Sequence, residues 1–231
     1  MTLEERWQAT CEDVRELCRA AGRAAEDVRI IAVSKTVGPE VVGQAIAAGV
    51  TDFGENRTQP FNEKLACYPQ ARWHFIGVLQ SNKARQVVGK AHLIHSLDRV
   101  SLLEALQKEA AKRDVVQDVL VEVSISGEQS KGGIAPELLP EFLERIAAAP
   151  NLACKGLMTM APQGDLNVAR RTFSGLRDVS EQMAARYSER DSISMAELSM
   201  GMSEDYAAAI AEGATMVRIG RRIFSDAFQA G

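Results

Sequence analysis

The sequence lacks the features that mark a nucleic-acid-binding or membrane-spanning protein. Aromatic residues make up 5% of the 231 residues and the formal net charge is −4, whereas a nucleic-acid-binding domain is usually basic and carries aromatic side chains on which bases stack. No run approaches the roughly 18 apolar residues that a transmembrane helix needs. Charges also interrupt the N-terminus before the apolar core of a signal peptide could form. We therefore expect no nucleic acid and no membrane among the partners of this chain.

The four cysteines and three histidines lack the spacing of a metal site or a disulfide framework. No C-x-x-C or H-E-x-x-H pattern occurs. Cys11 and Cys18 fall on one face of a predicted helix, which favours a packing role for both. We predict that the chain binds no metal and works in a reducing, cytoplasmic compartment.

The hydrophobic pattern predicts one helix followed by eight strand–helix units. Thr2 and Glu5 match a capping box, and apolar residues recur at helical spacing within residues 1–22. Predicted strands lie at residues 28–35, 51–55, 73–77, 92–97, 117–124, 153–160, 193–200 and 216–219. Predicted helices lie between them at residues 39–48, 58–66, 82–89, 99–113, 136–149, 166–188 and 203–212, and a short helix follows Arg221.

Eight strands that alternate with helices favour a parallel sheet closed into a barrel. A (β/α)8 barrel needs roughly 200 residues or more, and residues 28–224 supply about that length. We predict an α/β fold, a (β/α)8 TIM-type barrel with an extra N-terminal helix, and one domain over residues 1–231. The alternative is an open, doubly wound sheet.

An internal echo supports this division into units. "AIAAGVTDFG", which begins at Ala45, and "AIAEGATMVRIG", which begins at Ala209, share the pattern A-I-A-x-G-x-T. In both stretches a helix would end at a glycine and lead directly into a strand. We interpret the echo as a repeated joint and not as a duplicated domain.

Two candidate anion-binding loops follow the last two predicted strands. In barrels of this type the active site lies at the C-terminal ends of the strands, and a phosphate site is commonly built after strands seven and eight. The loop after strand seven contains Gly201 and Ser203, and the loop after strand eight begins at Gly220. Ser203 could equally be an ordinary helix N-cap. When Ser203 is considered together with Gly220, a phosphate site is about as well supported as a plain N-cap.

Arg218 and Lys35 are the charged residues near these loops that could contact a bound anion or its carrier. Strand alternation separates Arg218 from Val217 and Ile219, so it faces either the barrel interior or the helix layer and needs a partner there. A structural ion pair would satisfy Arg218 as well as a ligand would.

Lys35 follows the first strand, where most lysines are simply solvated. A lysine amine that is partly withdrawn from water can instead condense with an aldehyde to form a Schiff base. Together with a phosphate site, this suits pyridoxal phosphate (PLP) or a sugar phosphate in a lysine aldolase.

Several longer motifs, in order along nearly the whole chain, resemble those of the pyridoxal phosphate homeostasis proteins, relatives of the N-terminal barrel of alanine racemase. The matching stretches are "AVSKT" from Ala32, "DFGEN" from Asp52, "WHFIGVLQSNK" from Trp73, "HSLDR" from His95, "SKGGI" from Ser130, "KGLMTM" from Lys155, "SMGMSEDY" from Ser199 and "VRIG" from Val217.

The resemblance implies a cofactor site with PLP bound to Lys35 as a Schiff base. Arg218 would approach the pyridine nitrogen, and Ser203, Gly220 and the backbone of Arg221 would hold the phosphate. The full set of cofactor-binding residues that it implies is Lys35, Asn56, Met158, Ser199, Ser203, Arg218, Gly220 and Arg221. The family usually has a threonine or serine at the position of Arg221 and a glycine at that of Ser225, so the hydroxyl contact to phosphate is lost here. The guanidinium of Arg221 could replace that contact as a charge-assisted donor, or it could equally point outward.

The resemblance also implies a protein that holds PLP without using it as a catalyst. Related racemases carry a second domain that supplies a tyrosine base, and we expect no such domain here and hence a monomer. We predict no catalytic residue and a function in buffering or delivering PLP. The alternatives are an amino-acid racemase, a lysine aldolase, and a partner-binding module that passes PLP to apo-enzymes by contact.

Overall fold

Residues 1–125 and 132–225 are described by the structure, a computed structural model. Its eight strands are β1 (Arg29–Val33), β2 (Asp52–Glu55), β3 (Arg72–Phe75), β4 (Leu93–Leu97), β5 (Gln117–Glu122), β6 (Leu152–Met158), β7 (Ile193–Met202) and β8 (Met216–Ile219). Its helices are α1 (Leu3–Ala20), α2 (Pro39–Ala47), α3 (Thr58–Cys67), α4 (Val100–Lys112), α5 (Leu139–Ala147), α6 (Leu166–Arg186), α7 (Tyr206–Ala211) and α8 (Arg221–Phe224).

The strands form a closed parallel barrel in chain order. Closure is made by β1 and β8, where Ala32 is paired with Ile219 and Ile31 with Arg218. The predicted (β/α)8 barrel is therefore confirmed, and the open, doubly wound alternative is wrong. Among the described helices, none has a stretch both apolar enough and long enough to cross a membrane.

The barrel wall separates two groups of apolar side chains. Strand alternation sends Phe53, Trp73 and Val217 outward into a large cluster shared with the helices. The rings of Phe53 and Trp73 stack there at 5.2 Å. A second, smaller cluster of buried side chains fills part of the interior and consists of Ile31, Leu93, Leu120, Met158 and Met216. The remainder of the interior is polar.

Helix α1 is built as the sequence predicts and packs against α2, α7 and α8. The hydroxyl of Thr2 accepts from the backbone N–H of Glu5, and the Glu5 carboxylate accepts from the backbone N–H of Thr2. Near its start, Arg6 Nε donates to the carbonyl of Ile223 in α8 over 2.8 Å. Helix α1 therefore holds the short helix that follows β8.

The two echo segments form the same joint. Gly49 follows α2 with φ of +98° and Gly213 follows α7 with φ of +99°. Since this backbone conformation is strained for residues with a side chain, glycine is the residue that allows both helices to turn into the next strand.

Two predicted helices differ from the structure. Residues 82–89 do not form an α-helix, because the segment is a 3-10 helix over Ser81–Gln86. Two backbone carbonyls at the end of this 3-10 helix accept hydrogen bonds from side chains and not from a further helical turn. Arg113 donates to Arg85 O over 2.5 Å, and Asn62 donates to Gln86 O over 3.0 Å. The helix predicted at 136–149 begins with a 3-10 turn over Pro136–Leu138 before α5. In the "SKGGI" motif, Ser130 and Lys131 lie outside the described residues.

Candidate functional site

The closure of the barrel brings the loop that carries Lys35 beside the loop that begins at Gly220. Lys35 is exposed and follows β1 by two residues. A Cβ atom added to Gly220 would lie 3.1 Å from the carbonyl oxygen of Val33 and 3.2 Å from its Cβ. The absence of a side chain at Gly220 therefore permits this close approach of the two loops.

Ser203 and Gly220 join the loops after β7 and β8. The backbone N–H of Gly220 points at Ser203 Oγ over 3.4 Å, and Ser203 is 8% exposed. Ser203 is not the N-cap of α7, because that position belongs to Asp205, whose carboxylate accepts from the backbone N–H of Met202 over 2.6 Å. The plain N-cap alternative for Ser203 is therefore wrong, and its hydroxyl faces the neighbouring loop.

Arg221 reinforces the same junction from outside. Its guanidinium lies 2.7 Å from the carboxylate of Glu204, so an ion pair connects the loop after β7 to the first residue of α8. Both side chains are about half exposed, at 56% and 50%. Surface pairs of this kind contribute little stability. The pair directs the arginine head group toward Glu204.

Arg218 faces the barrel interior and is 5% exposed. Its Nη1 donates to Ser199 Oγ over 2.7 Å and its Nη2 to the carbonyl of Thr159 over 3.1 Å. Burial lowers its pKa to about 10, opposed by the charges of Glu122 and Asp205. Arg218 therefore keeps its charge at neutral pH.

Met158 lies in the wall next to this arginine. It is paired in register with Ser199 on β7 and with Glu122 on β5, and it is 2% exposed. Its side chain belongs to the small interior cluster. Met158 and Ser199 thus lie together with Arg218 inside the upper barrel.

Asn56 lies on another side of the barrel mouth. It follows β2, and Gly77 approaches it so closely that an added Cβ would lie 2.3 Å from Asn56 O. Asn56 also lines a cavity of about 580 Å3 with residues of the β2 and β3 loops that include Arg57, Gln80 and Lys83. Lys35, Ser203 and Gly220 belong instead to the loops of β1, β7 and β8.

A buried ion pair next to Lys35 was not predicted. Lys64 Nζ donates to the carbonyl of Ser34 over 2.8 Å and also contacts Glu55 Oε1. The hydroxyl of Ser34 donates to the same carboxylate oxygen over 2.7 Å. Both charged residues are almost fully buried, and they fix the peptide that precedes Lys35. The signal in the sequence was the spacing of Thr58, Phe61 and Lys64, which places Lys64 on the buried face of α3.

Glu122 is a second residue that sequence reasoning missed. It ends β5, two residues beyond interior Leu120, and it is 5% exposed. Burial raises its pKa to about 7, the charge of Asp98 adds to the rise, and Arg218 opposes it. Alternation along β5 places this carboxyl at the upper end of the barrel interior.

The chain matches the family model of the alanine racemase N-terminal domain over residues 9–227. It is 41% identical over 225 residues to the pyridoxal phosphate homeostasis protein of Aquifex aeolicus (strain VF5), an alignment that covers 96% of this chain and 97% of that protein. The chain belongs to the pyridoxal phosphate homeostasis protein family. The family member of Pseudomonas aeruginosa is 38% identical over 227 residues, or 96% of this chain and 95% of that protein.

A solved structure of another bacterial protein is also similar. PipY of Synechococcus elongatus PCC7942, solved with PLP bound, superposes with a TM-score of 0.81 and 31% identity. The match covers 97% of this chain and 100% of PipY. Membership of the pyridoxal phosphate homeostasis protein family, predicted from the motifs, is confirmed by these comparisons.

Replacing Glu122 by Gln should change how the stability of the protein depends on pH. With a native pKa of about 7 and an ordinary value of 4.5, native Glu122 binds more protons than the unfolded chain, so the free energy of unfolding falls as pH rises between these values. The loss amounts to roughly 3 kcal/mol at most. Urea unfolding of both proteins without added PLP should show a smaller loss for Glu122→Gln.

Near pH 5 the wild type and the Glu122→Gln variant should be similarly stable, since native Glu122 is then mostly neutral like the amide. By about pH 8 the variant should be the more stable of the two. Parallel stability curves across this range would show that Glu122 ionises normally.

Proposed function

We propose that the chain binds PLP, with the amine of Lys35 holding its aldehyde as a Schiff base, and that it buffers or delivers PLP without substantial turnover. The observation that carries this proposal is the closure of β8 onto β1, which joins the Lys35 loop to the Gly220 loop. An amine, a phosphate-type loop pair and a buried arginine then share one end of the barrel. The family relatives are named for PLP homeostasis, and PipY was solved with PLP bound.

The donor set around this end of the barrel fits PLP chemically. The Ser203 hydroxyl and the backbone N–H groups of Gly220 and Arg221 would offer neutral donors to a phosphate, and the Gly220 N–H and the Ser203 hydroxyl already lie 3.4 Å apart. Met158 and Asn56 would line the pocket, with Ser199 behind Arg218. PLP, when bound, supplies an electron sink for reactions at the amino-acid carbon.

Arg218 would weaken that electron sink. A guanidinium carries donors only and does not give up its proton in ordinary protein chemistry. Facing the ring nitrogen, Arg218 would donate a hydrogen bond and leave that nitrogen without a proton of its own. Carbanion chemistry is less favourable under those conditions. The alanine racemases that the motifs resemble work with such an arginine, so the choice of storage over catalysis depends on the tyrosine positions.

The three tyrosines of the sequence lie in the helix layer. Tyr187 donates to the carbonyl of Pro140 over 2.9 Å, and Tyr206 donates to the carboxylate of Asp13 in α1. Burial and that hydrogen bond raise the pKa of Tyr206, so the phenol stays protonated at neutral pH and is not available as a base. The hydroxyl of Tyr68 lies against Gly43 of α2. None of these positions suits a base that faces Lys35.

Purified protein loaded with PLP should be yellow, and borohydride should bleach it and leave the mass of the reduced cofactor on the Lys35 peptide. Lys35→Ala should lose both the colour and the labelled peptide, because no amine remains to condense with the aldehyde. Absorption spectra and peptide mass mapping make the measurement. Lys83→Arg is the matched control, since Lys83 is an exposed lysine of the Asn56 cavity.

The label on Lys83 or Lys64, or no label after reconstitution, would overturn the assignment of Lys35. A loaded protein that stays colourless and is trapped only with a sugar phosphate would favour the aldolase alternative.

The PLP-loaded protein should not exchange the α-hydrogen of amino acids with deuterium at a catalytic rate. The reason is the absence of a placed tyrosine base together with the donor character of Arg218. Proton NMR of a broad amino-acid panel in D2O makes the measurement. Rapid exchange of any one amino acid would establish the racemase alternative, and its loss in Glu122→Gln would identify Glu122 as the base.

A further inference from the structure

A continuous chain of hydrogen-bonded side chains crosses the barrel interior, from Arg218 on β8 to the start of β2. Arg218 Nη1 donates to Ser199 Oγ, and that oxygen lies 2.8 Å from His95 Nδ1. His95 Nε2 lies 2.9 Å from His74 Nδ1, and His74 Nε2 lies 3.1 Å from Asp52 Oδ1. The five residues come from five different strands, and each is at most 5% exposed. We call this chain the interior relay.

The far end of the interior relay is a carboxylate. Arg72 donates to both oxygens of Asp52, over 2.8 Å from Nε and 2.6 Å from Nη2, and Thr51 donates over 2.7 Å. Burial alone would raise the pKa of Asp52, but the hydrogen bonds from Arg72, His74 and Thr51 outweigh burial and hold the pKa well below its usual range. Asp52 therefore only accepts hydrogen bonds at neutral pH.

Both histidines of the interior relay are neutral. Burial is the main cause that lowers the pKa of His74 and of His95, the second of them strongly. The attraction of Asp52 for a charged His74 opposes burial without overcoming it. The charged and titratable groups that face the two rings are Asp52, Arg29, His92 and Arg218.

The two ends then determine the direction of every bond. Asp52 accepts, so His74 carries its proton on Nε2 and its Nδ1 accepts from His95 Nε2–H. His95 Nδ1 is left as an acceptor and takes the hydroxyl proton of Ser199. Ser199 presents a lone pair to Arg218, which can only donate. Each bond is donated away from Arg218 and toward Asp52.

We infer that Ser199, His95, His74 and Asp52 are positioning residues, which hold Arg218 in place as a charged donor through a neutral interior relay of fixed direction. The inference rests on the proposed function only in naming what Arg218 faces, the ring nitrogen of PLP. Because all bonds run the same way, the relay offers no proton toward that nitrogen. The barrel interior would thus keep the ring nitrogen of the cofactor unprotonated, which is the less reactive form.

The competing arrangement is a charged His74 that donates from both nitrogens, with the His95 proton moved to Nδ1. The two arrangements differ at nitrogen atoms that NMR resolves. With the protein labelled with 15N at its three histidines, two-bond 15N–1H correlation without PLP should show His74 and His95 protonated at Nε2 alone at neutral pH. The His92→Gln variant removes the third signal and completes the assignment. A doubly protonated His74, or a His95 proton on Nδ1, overturns the inference, whether or not PLP binds.

The effect on the cofactor is tested with the loaded protein. Ser199→Ala should weaken PLP retention about tenfold, because the charged Arg218 loses the hydrogen bond that it donates to the Ser199 hydroxyl. The same change should shift the pH midpoint of the visible band. Ser199→Thr keeps the hydroxyl and should restore both values. His95→Gln should shift the midpoint as Ser199→Ala does. Variants that lose thermal stability with unchanged midpoint and retention would reduce the relay to a structural role and overturn the inference.

Discussion

The hydrogen bonding of the buried Arg218 guanidinium is the constraint on which the arrangement of polar side chains in the barrel interior depends. A guanidinium that is 5% exposed needs partners, and the strands provide them at the Ser199 hydroxyl and the Thr159 carbonyl. The Ser199 hydroxyl in turn needs an acceptor, which is why two neutral histidines and a carboxylate follow it across the barrel. The polar interior can therefore be understood as the consequence of placing one cation beneath the barrel mouth.

The candidate site itself depends on closure. Lys35 and Gly220 are far apart in the chain, and only the pairing of β1 with β8 brings their loops together. The buried pair of Lys64 and Glu55 fixes the peptide before the lysine, while helix α1 holds α8 through Arg6. The exposed amine thus extends from a well-packed frame, as the proposed cofactor site would require.

The sequence was sufficient for the order of strands and helices, since hydrophobic alternation and helix-ending glycines are local signals. It also led to Lys35, Ser203, Gly220 and Arg218, because motifs at strand ends can be read without knowing register. It did not lead to the interior relay or to Glu122. Alternation alone puts His74 and His95 inside the barrel, but which of their neighbours they meet depends on the stagger between strands. The 3-10 helix at Ser81 was missed for a similar reason, since its last carbonyls accept hydrogen bonds from Asn62 and Arg113, which are distant in the sequence.

We propose that Arg218 keeps the PLP ring nitrogen without a proton, which would limit the use of a reactive cofactor that the protein holds. The 15N chemical shift of the ring nitrogen in bound, 15N-labelled PLP tests this claim most directly. We predict the shift of an unprotonated pyridine that accepts a hydrogen bond, unchanged across neutral pH. A pyridinium shift at neutral pH would contradict the account.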